Sequence, residues 1–177
     1  MTIASKVRVA GLSYLLALVT AIVGEFLIGG KLGVGVALIA VPCYLAVTLL
    51  AFTIFAPVRR RLCLIGVSLN FLGLGFEAVR FNPWGVDIAL VFHGLYCLMI
   101  GYVVFRALFV PRALGLPMVF AGLAWLVFLS PRFAAYLSPW NLDLGILGEA
   151  VLMVWLLVFG VDVQRWKEQS GLASVRV

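Results

Sequence analysis

Charge is what this chain has least of. Lysine and arginine number 13 and aspartate and glutamate seven in 177 residues, 11% charged against 65% hydrophobic. A water-soluble domain is roughly half apolar and a quarter charged. The apolar excess here has no place in water, so the solvent it implies is lipid. Strict polar–apolar alternation is also missing, which argues against a membrane β-barrel, whose strands alternate lipid-facing and lumen-facing residues. Histidine occurs once, as His93, and cysteine three times (Cys43, Cys63, Cys97) in separate apolar stretches. An odd count with no CxxC argues against a disulfide framework or a thiolate metal site and leaves buried thiols as small hydrophobes. GxSxG, HExxH and ExxH are absent, and the glycines at 29, 30, 33 and 35 lack the strand–helix setting of a phosphate loop. Motif-based hydrolase and metalloprotease chemistry therefore has no foothold, and neither catalytic residues nor a cofactor can be named.

What remains is a set of long apolar runs. A spanning helix needs about 20 mainly apolar residues, and the chain has room for six, over about 7–28, 34–55, 62–81, 86–109, 114–129 and 142–163, with a polar tail at 164–177. This predicts an all-α fold, a single six-helix transmembrane domain over 1–177. Pro42 is expected to kink the second helix, and Pro117 sits in the first turn of the fifth, where a missing N–H costs least. Residues 130–141 form the longest loop. The first run is too long for the apolar part of a cleavable signal and has no small-x-small site after it, so it reads as a retained membrane helix.

The net charge of +6 does not point to nucleic acid, because the basic residues stand at the ends of the apolar runs. With the N-terminus inside, Lys6, Arg8, Arg59, Arg60, Arg61, Arg106, Arg112, Arg165, Lys167 and Arg176 are internal, and Lys31, Arg80 and Arg132 external. Short loops with this bias place both termini in the cytoplasm. Trp84, Tyr136 and Trp140 then form an outer aromatic belt, with Trp166 on the inner side.

Against this apolar background four ionisable side chains stand out: Glu25, Glu77, His93 and Glu149, on four different expected helices. An ionised Asp, Lys or Arg at mid-helix costs about +2.5 to +3.5 kcal/mol on insertion scales. In the deduced topology all four lie within roughly 5 to 11 Å of the outer interface at 1.5 Å per residue. The faces agree. Asn70, Gly73 and Glu77 share a stripe, as do His93, Tyr96 and Cys97; Tyr14, Ala21 and Glu25; and Gly145, Glu149 and Met153. Arg80, three residues after Glu77, is placed to pair with it. Glu25, Glu77, Arg80, His93, Tyr96 and Glu149 are thus the candidate lining of one polar pocket for a small ligand or a cation. Glu25, Glu77, His93 and Glu149 are the candidate ligands of a hard or borderline divalent metal. The alternatives are structural: a Glu77–Arg80 ion pair, a neutral His93 bonded to a neighbour, and protonated glutamates bonding between helices. Asp87 and Asp143 read as helix-start residues.

Some stretches are familiar as a set. They are Phe92-His93-Gly94-Leu95-Tyr96-Cys97 with Gly101-Tyr102; Val110-Pro111-Arg112-Ala113-Leu114-Gly115 with Ala121-Gly122-Leu123-Ala124-Trp125-Leu126; and Gly148-Glu149 with Trp155-Leu156-Leu157-Val158-Phe159-Gly160-Val161 and Arg165-Trp166. With Gly11-Leu12-Ser13-Tyr14-Leu15 and Gly24-Glu25, the chain resembles, over about Lys6 to Gln169, the bacterial membrane family catalogued as domain of unknown function 4386. Glu25, His93, Arg112 and Glu149 lie in the resembling stretches. The resemblance implies a multi-pass bacterial inner-membrane protein and brings no activity, substrate or cofactor.

Two classes of function follow from these readings. One is a membrane protein whose outward-facing pocket binds a small molecule or cation. The other is an accessory or structural subunit of a larger membrane complex, or a homo-oligomer, in which the polar cluster only fastens helices together. An intramembrane enzyme is a third and weaker reading, since no nucleophile is evident. The expected partners are the lipid bilayer and membrane proteins, not nucleic acid.

Overall fold

A computed structural model describes residues 2–28 and 30–171, apart from the side chains of Glu25, Phe26 and Ala37. Among the described residues the structure is helical with no strand. The main helices are α1 (Ile3–Ile22), α2 (Gly30–Ala37), α3 (Ala40–Ala78), α4 (Ile88–Arg106), α5 (Gly115–Leu126), α6 (Pro131–Leu137), α7 (Trp140–Val158) and α8 (Val163–Gln169). Among the described residues five runs are long and apolar enough to cross a membrane: Ile3–Ile22, Gly30–Ala78, Ile88–Arg106, Arg112–Leu129 and Trp140–Val158.

The second of these runs is not straight. The amide of Asn70 donates to the Thr48 hydroxyl at 2.6 Å across 22 residues. In a straight helix such residues would stand about 33 Å apart. The chain therefore folds back midway, at Arg59, whose φ/ψ of −154°/77° is non-helical. Pro57 prepares this reversal by withholding an N–H from the helix. Three consecutive arginines, too polar for an apolar interior, occupy the corner. α3 is thus two antiparallel arms, 40–58 and 60–78. This is the turn expected between the second and third helices, made without a loop.

Other boundaries differ from expectation for local reasons. Pro42 does not kink a continuous helix. The helix breaks ahead of it at Leu38 and Ile39, and α3 starts afresh with Pro42 in its first turn. A proline ring collides with the carbonyl four residues earlier, here Leu38, and the break removes that collision. The end of the first apolar run widens into a π-helix, Val23–Ile28. The long loop contains a short helix, α6, and α7 begins at Trp140. The tail is not merely polar chain: α8 starts on Asp162, whose carboxylate accepts from the N–H groups of Gln164 and Arg165 at 3.0 and 3.1 Å. Trp166 then donates its indole N–H to the Ile54 carbonyl at 2.8 Å, and Asp162 N–H bonds to Phe109 O at 3.0 Å. The end of the first α3 arm, the end of α4 and the end of α7 therefore lie together at one pole of the bundle. Residues 172–177 lie outside the described residues.

The packing is α1 on α3 and α7, α3 on α4, α4 on α5 and α5 on α7. The α4–α5 contact is set by glycines spaced seven apart on each helix. A Cβ on Gly94 would lie 2.8 Å from the Gly122 carbonyl oxygen, and one on Gly101 would lie 3.0 Å from that of Gly115. Only glycine allows two antiparallel backbones this close, which is the usual device where helices must cohere by contact rather than by escape from water.

Candidate functional site

The polar centre of the bundle is Glu149, midway along α7, with a side chain only 1% exposed. Its partners come from three other helices. Tyr14, on the buried face of α1, donates its hydroxyl to Oε2. Trp125, near the end of α5, donates its indole N–H to Oε1. His93, in the second turn of α4, faces Oε1 through Nε2 at 2.9 Å. Cys97, one turn further along α4, points its thiol at the same oxygen from 3.8 Å. The Trp125 ring reaches its place because α7 has no side chain at Gly145, where a Cβ would lie 2.5 Å from the ring. Gly145 precedes Glu149 by one turn, so the same face that opens for the indole supplies the acceptor for its N–H.

A second chain of bonds fixes the imidazole. The Thr48 hydroxyl donates to the Tyr44 carbonyl at 2.7 Å. Its one proton is thereby spent, so it can only accept from Asn70 Nδ2. This sets the Asn70 amide with Oδ1 toward His93 Nδ1, at 2.9 Å. A carbonyl oxygen only accepts, so Nδ1 carries a proton. Two acceptors, Nε2 and Oε1, then face each other and hold one proton between them. The indole N–H cannot accept, and it already occupies a lone pair of Oε1. Whether the shared proton sits on nitrogen or oxygen, the pair has no net charge, which is how a carboxylate is tolerated in a dry interior.

Beside the pair lies a cavity of about 400 Å³. His93, Asn70, Tyr44 and Trp125 line one end, and Glu77, Arg80 and Asp87 line the other. The walls between are apolar, with Leu18, Leu74, Leu90 and Ile146 among them. His93 is 12% exposed, so its ring separates Glu149 from the cavity. The Tyr44 ring stands edge-on to the imidazole, centroids 5.3 Å apart, and the Trp125 ring lies 6.2 Å from it. At the rim Arg80 Nη1 is 3.5 Å from Glu77 Oε1, each about one-third exposed, and Asp87 caps α4 through Leu90 N–H at 3.2 Å.

The candidates read from the sequence thus divide into tiers. His93 and Glu149 come together as a direct pair. Glu77 and Arg80 pair with each other at the rim. Tyr96 is buried in the core behind His93, ring centroids 6.0 Å apart, and borders a much smaller void of about 20 Å³ rather than the main cavity. Glu25 has its backbone in the π-helix, and its side chain lies outside the described residues. Glu149 sits deeper than expected, because α7 begins at Trp140. Of the metal candidates, His93 and Glu149 form a group with Cys97, their ligand atoms all within 4.8 Å of one another, and Glu77 is not in that group. A cation there would have to take the place of the shared proton. Tyr44, Thr48 and Trp125 were not singled out from the sequence. Tyr44 and Thr48 stand four apart on one helix face, and Gly145 stands four before Glu149, and those spacings were the available clues.

A family model described as Domain of unknown function (DUF4386) matches residues 76–160. That stretch holds Glu77, Arg80, His93, Tyr96, Trp125 and Glu149, while Tyr14, Tyr44, Thr48 and Asn70 precede it. No curated protein matches the chain, and no solved structure does.

Proposed function

For a chain whose residues 76–160 belong to the DUF4386 family, we propose a six-pass bacterial inner-membrane protein that binds a small molecule in its outer-leaflet cavity. The two α3 arms count as separate passes. The bundle pole with Arg59, Arg60, Arg61, Arg106 and Arg165 faces the cytoplasm by the positive-inside rule, together with both termini. The opposite pole, with Glu77, Arg80 and Asp87, then faces outward.

The observation that carries the reading is the cavity itself. Apolar walls with a few convergent polar groups at one end are the usual form of a small-molecule site. Its volume of about 400 Å³ falls at the small end of the roughly 300–1,000 Å³ typical of such sites. The test is to purify the protein in mild detergent and identify by native mass spectrometry and extraction what travels with it, for wild type and for an Ile146→Trp variant that fills the cavity. A small molecule held by wild type and lost from the variant supports the reading. A folded variant that behaves as wild type overturns it.

A specific observation also favours the structural reading. Glu149 on α7 joins α1, α4 and α5 through Tyr14, His93 and Trp125, so it fastens four helices whatever the cavity holds. Under that reading the chain is an accessory subunit, and Ile146→Trp loses no bound molecule.

A further inference from the structure

The cavity has a sign and a floor that can give up a proton. Resting on the small-molecule reading above, we propose that its ligand is a lipophilic organic cation, and that the cation displaces the proton shared by His93 and Glu149. Two carboxylates, Glu77 and Asp87, and one guanidinium, Arg80, line the rim. Arg80 already lies against Glu77, so the lining has no positive charge to spare for an anion. Three aromatic rings, Tyr44, Trp125 and Phe128, are part of the lining, and the Trp125 and Phe128 rings lie 6.1 Å apart. Aromatic faces with a carboxylate behind them attract an ammonium and do little for an anion.

The floor completes the argument. The groups facing the His93–Glu149 pair are Tyr14 from α1, Tyr44 and Asn70 from the two α3 arms, Tyr96 and Cys97 from α4, and Trp125 from α5. Among the described residues none of these carries a positive charge, so there the shared proton is the only cation at that end. When it leaves, the pair is left with one negative charge, separated from the cavity by an imidazole. A monocation seated against the ring replaces the lost charge, and the proton passes through the cavity to solvent. Charge is balanced by one cation in and one proton out. Affinity for the cation then rises with pH, by up to about tenfold per unit while the exchange is one for one.

The probe is benzyltrimethylammonium, which can neither bring nor lose a proton. Its uncharged carbon isostere, neopentylbenzene, serves as control. Full-length protein in detergent is titrated by calorimetry at one pH in buffers of different ionisation enthalpy, so that the buffer dependence of the heat counts protons. The expected result for wild type is cation binding with release approaching one proton, abolished by Ile146→Trp. Glu149→Gln should remove the release and weaken binding at least about tenfold. Because that variant also loosens the bundle, the wild-type proton count carries the test alone. Cation binding with no buffer dependence overturns the exchange. Binding of neopentylbenzene, blocked by Ile146→Trp, with none of the cation overturns the ligand class and leaves the small-molecule reading standing. Binding of neither overturns the proposal and counts against the cavity as a ligand site.

Discussion

Glu149→Gln separates the buried pair from the rim pair by magnitude. Glutamine keeps the shape and one carbonyl oxygen, and its NH₂ can be accepted by the Tyr14 hydroxyl. It cannot restore the bond to His93. With Nδ1–H held by Asn70 Oδ1 at 2.9 Å, a neutral imidazole turns a lone pair toward the amide oxygen, and an imidazolium is left with no counter-charge. Either state leaves a buried polar group without a match. Breaking a buried pair from one side costs about 3–5 kcal/mol. Glu77→Gln breaks a pair exposed by about a third on each side, where about 0.2–1 kcal/mol is usual. The assay is reversible unfolding in mixed micelles by titration with a denaturing detergent, followed by tryptophan fluorescence. A cycle with His93→Gln then measures the coupling directly, expected at about 2–3 kcal/mol. If Glu149→Gln costs no more than Glu77→Gln, or if the cycle gives less than about 0.5 kcal/mol, the shared-proton account of the pair is wrong.

Other expectations follow from single contacts. Gly94→Ala should cost about 1–3 kcal/mol by overpacking against the Gly122 carbonyl, whereas Gly75→Ala, which meets nothing within 4 Å, should cost nothing in the same unfolding assay. Gly145→Ala displaces the Trp125 ring from α7 and should alter tryptophan emission along with lowering stability, and an unchanged spectrum would count against the indole–carboxylate bond. Asn70→Leu removes the group that holds a proton on Nδ1. Nitrogen-15 shifts of the lone histidine should then report a changed tautomer population, and an unchanged spectrum would show that the Thr48–Asn70 chain does not set it. Trp166→Phe loses the bond to Ile54 O and should cost about 0.5–1.5 kcal/mol, read as earlier proteolysis of α8 without unfolding of the bundle.

The helices and the polar residues were legible for different reasons. Apolar runs bounded by arginine and proline announce helices because few other arrangements satisfy a backbone out of water, and the corner at Arg59 fell where the charges placed it. The short α6 and α8 were not legible, since seven polar or mixed residues bear too weak a period to distinguish a helix turn from loop. In the site, the ionisable residues were conspicuous because ionisation is costly in apolar surroundings. Their partners were not. Tyr44, Thr48 and Trp125 are ordinary in an apolar helix, and only the fold shows that they close the network around His93. Hydropathy and depth alone grouped Glu77 with His93 and Glu149. Depth gives a level and not an azimuth, and the rotation of each helix about its axis decides which side chains meet.

That rotation also bears on whether the centre is a fastening or a site. A fastening is best when every member is sealed, because exposure to water weakens each bond. Glu149 meets that standard, and so do Asn70 at 1% and Thr48 at 0% exposed. His93 does not: its ring is 12% exposed, at the end of a cavity large enough for a ligand. Closing that space would need only bulkier residues at the lining positions Ala21, Ala40 or Ala89; at Gly73, also in the lining, the approach of α4 forbids one, with Ala89 O 3.0 Å from where a Cβ would be. The small residues thus leave space on one side of the imidazole, while tight packing holds its other contacts in register. The arrangement exposes to the cavity a group bonded directly to the buried carboxylate, and a network that served only to fasten the helices would gain stability by covering it.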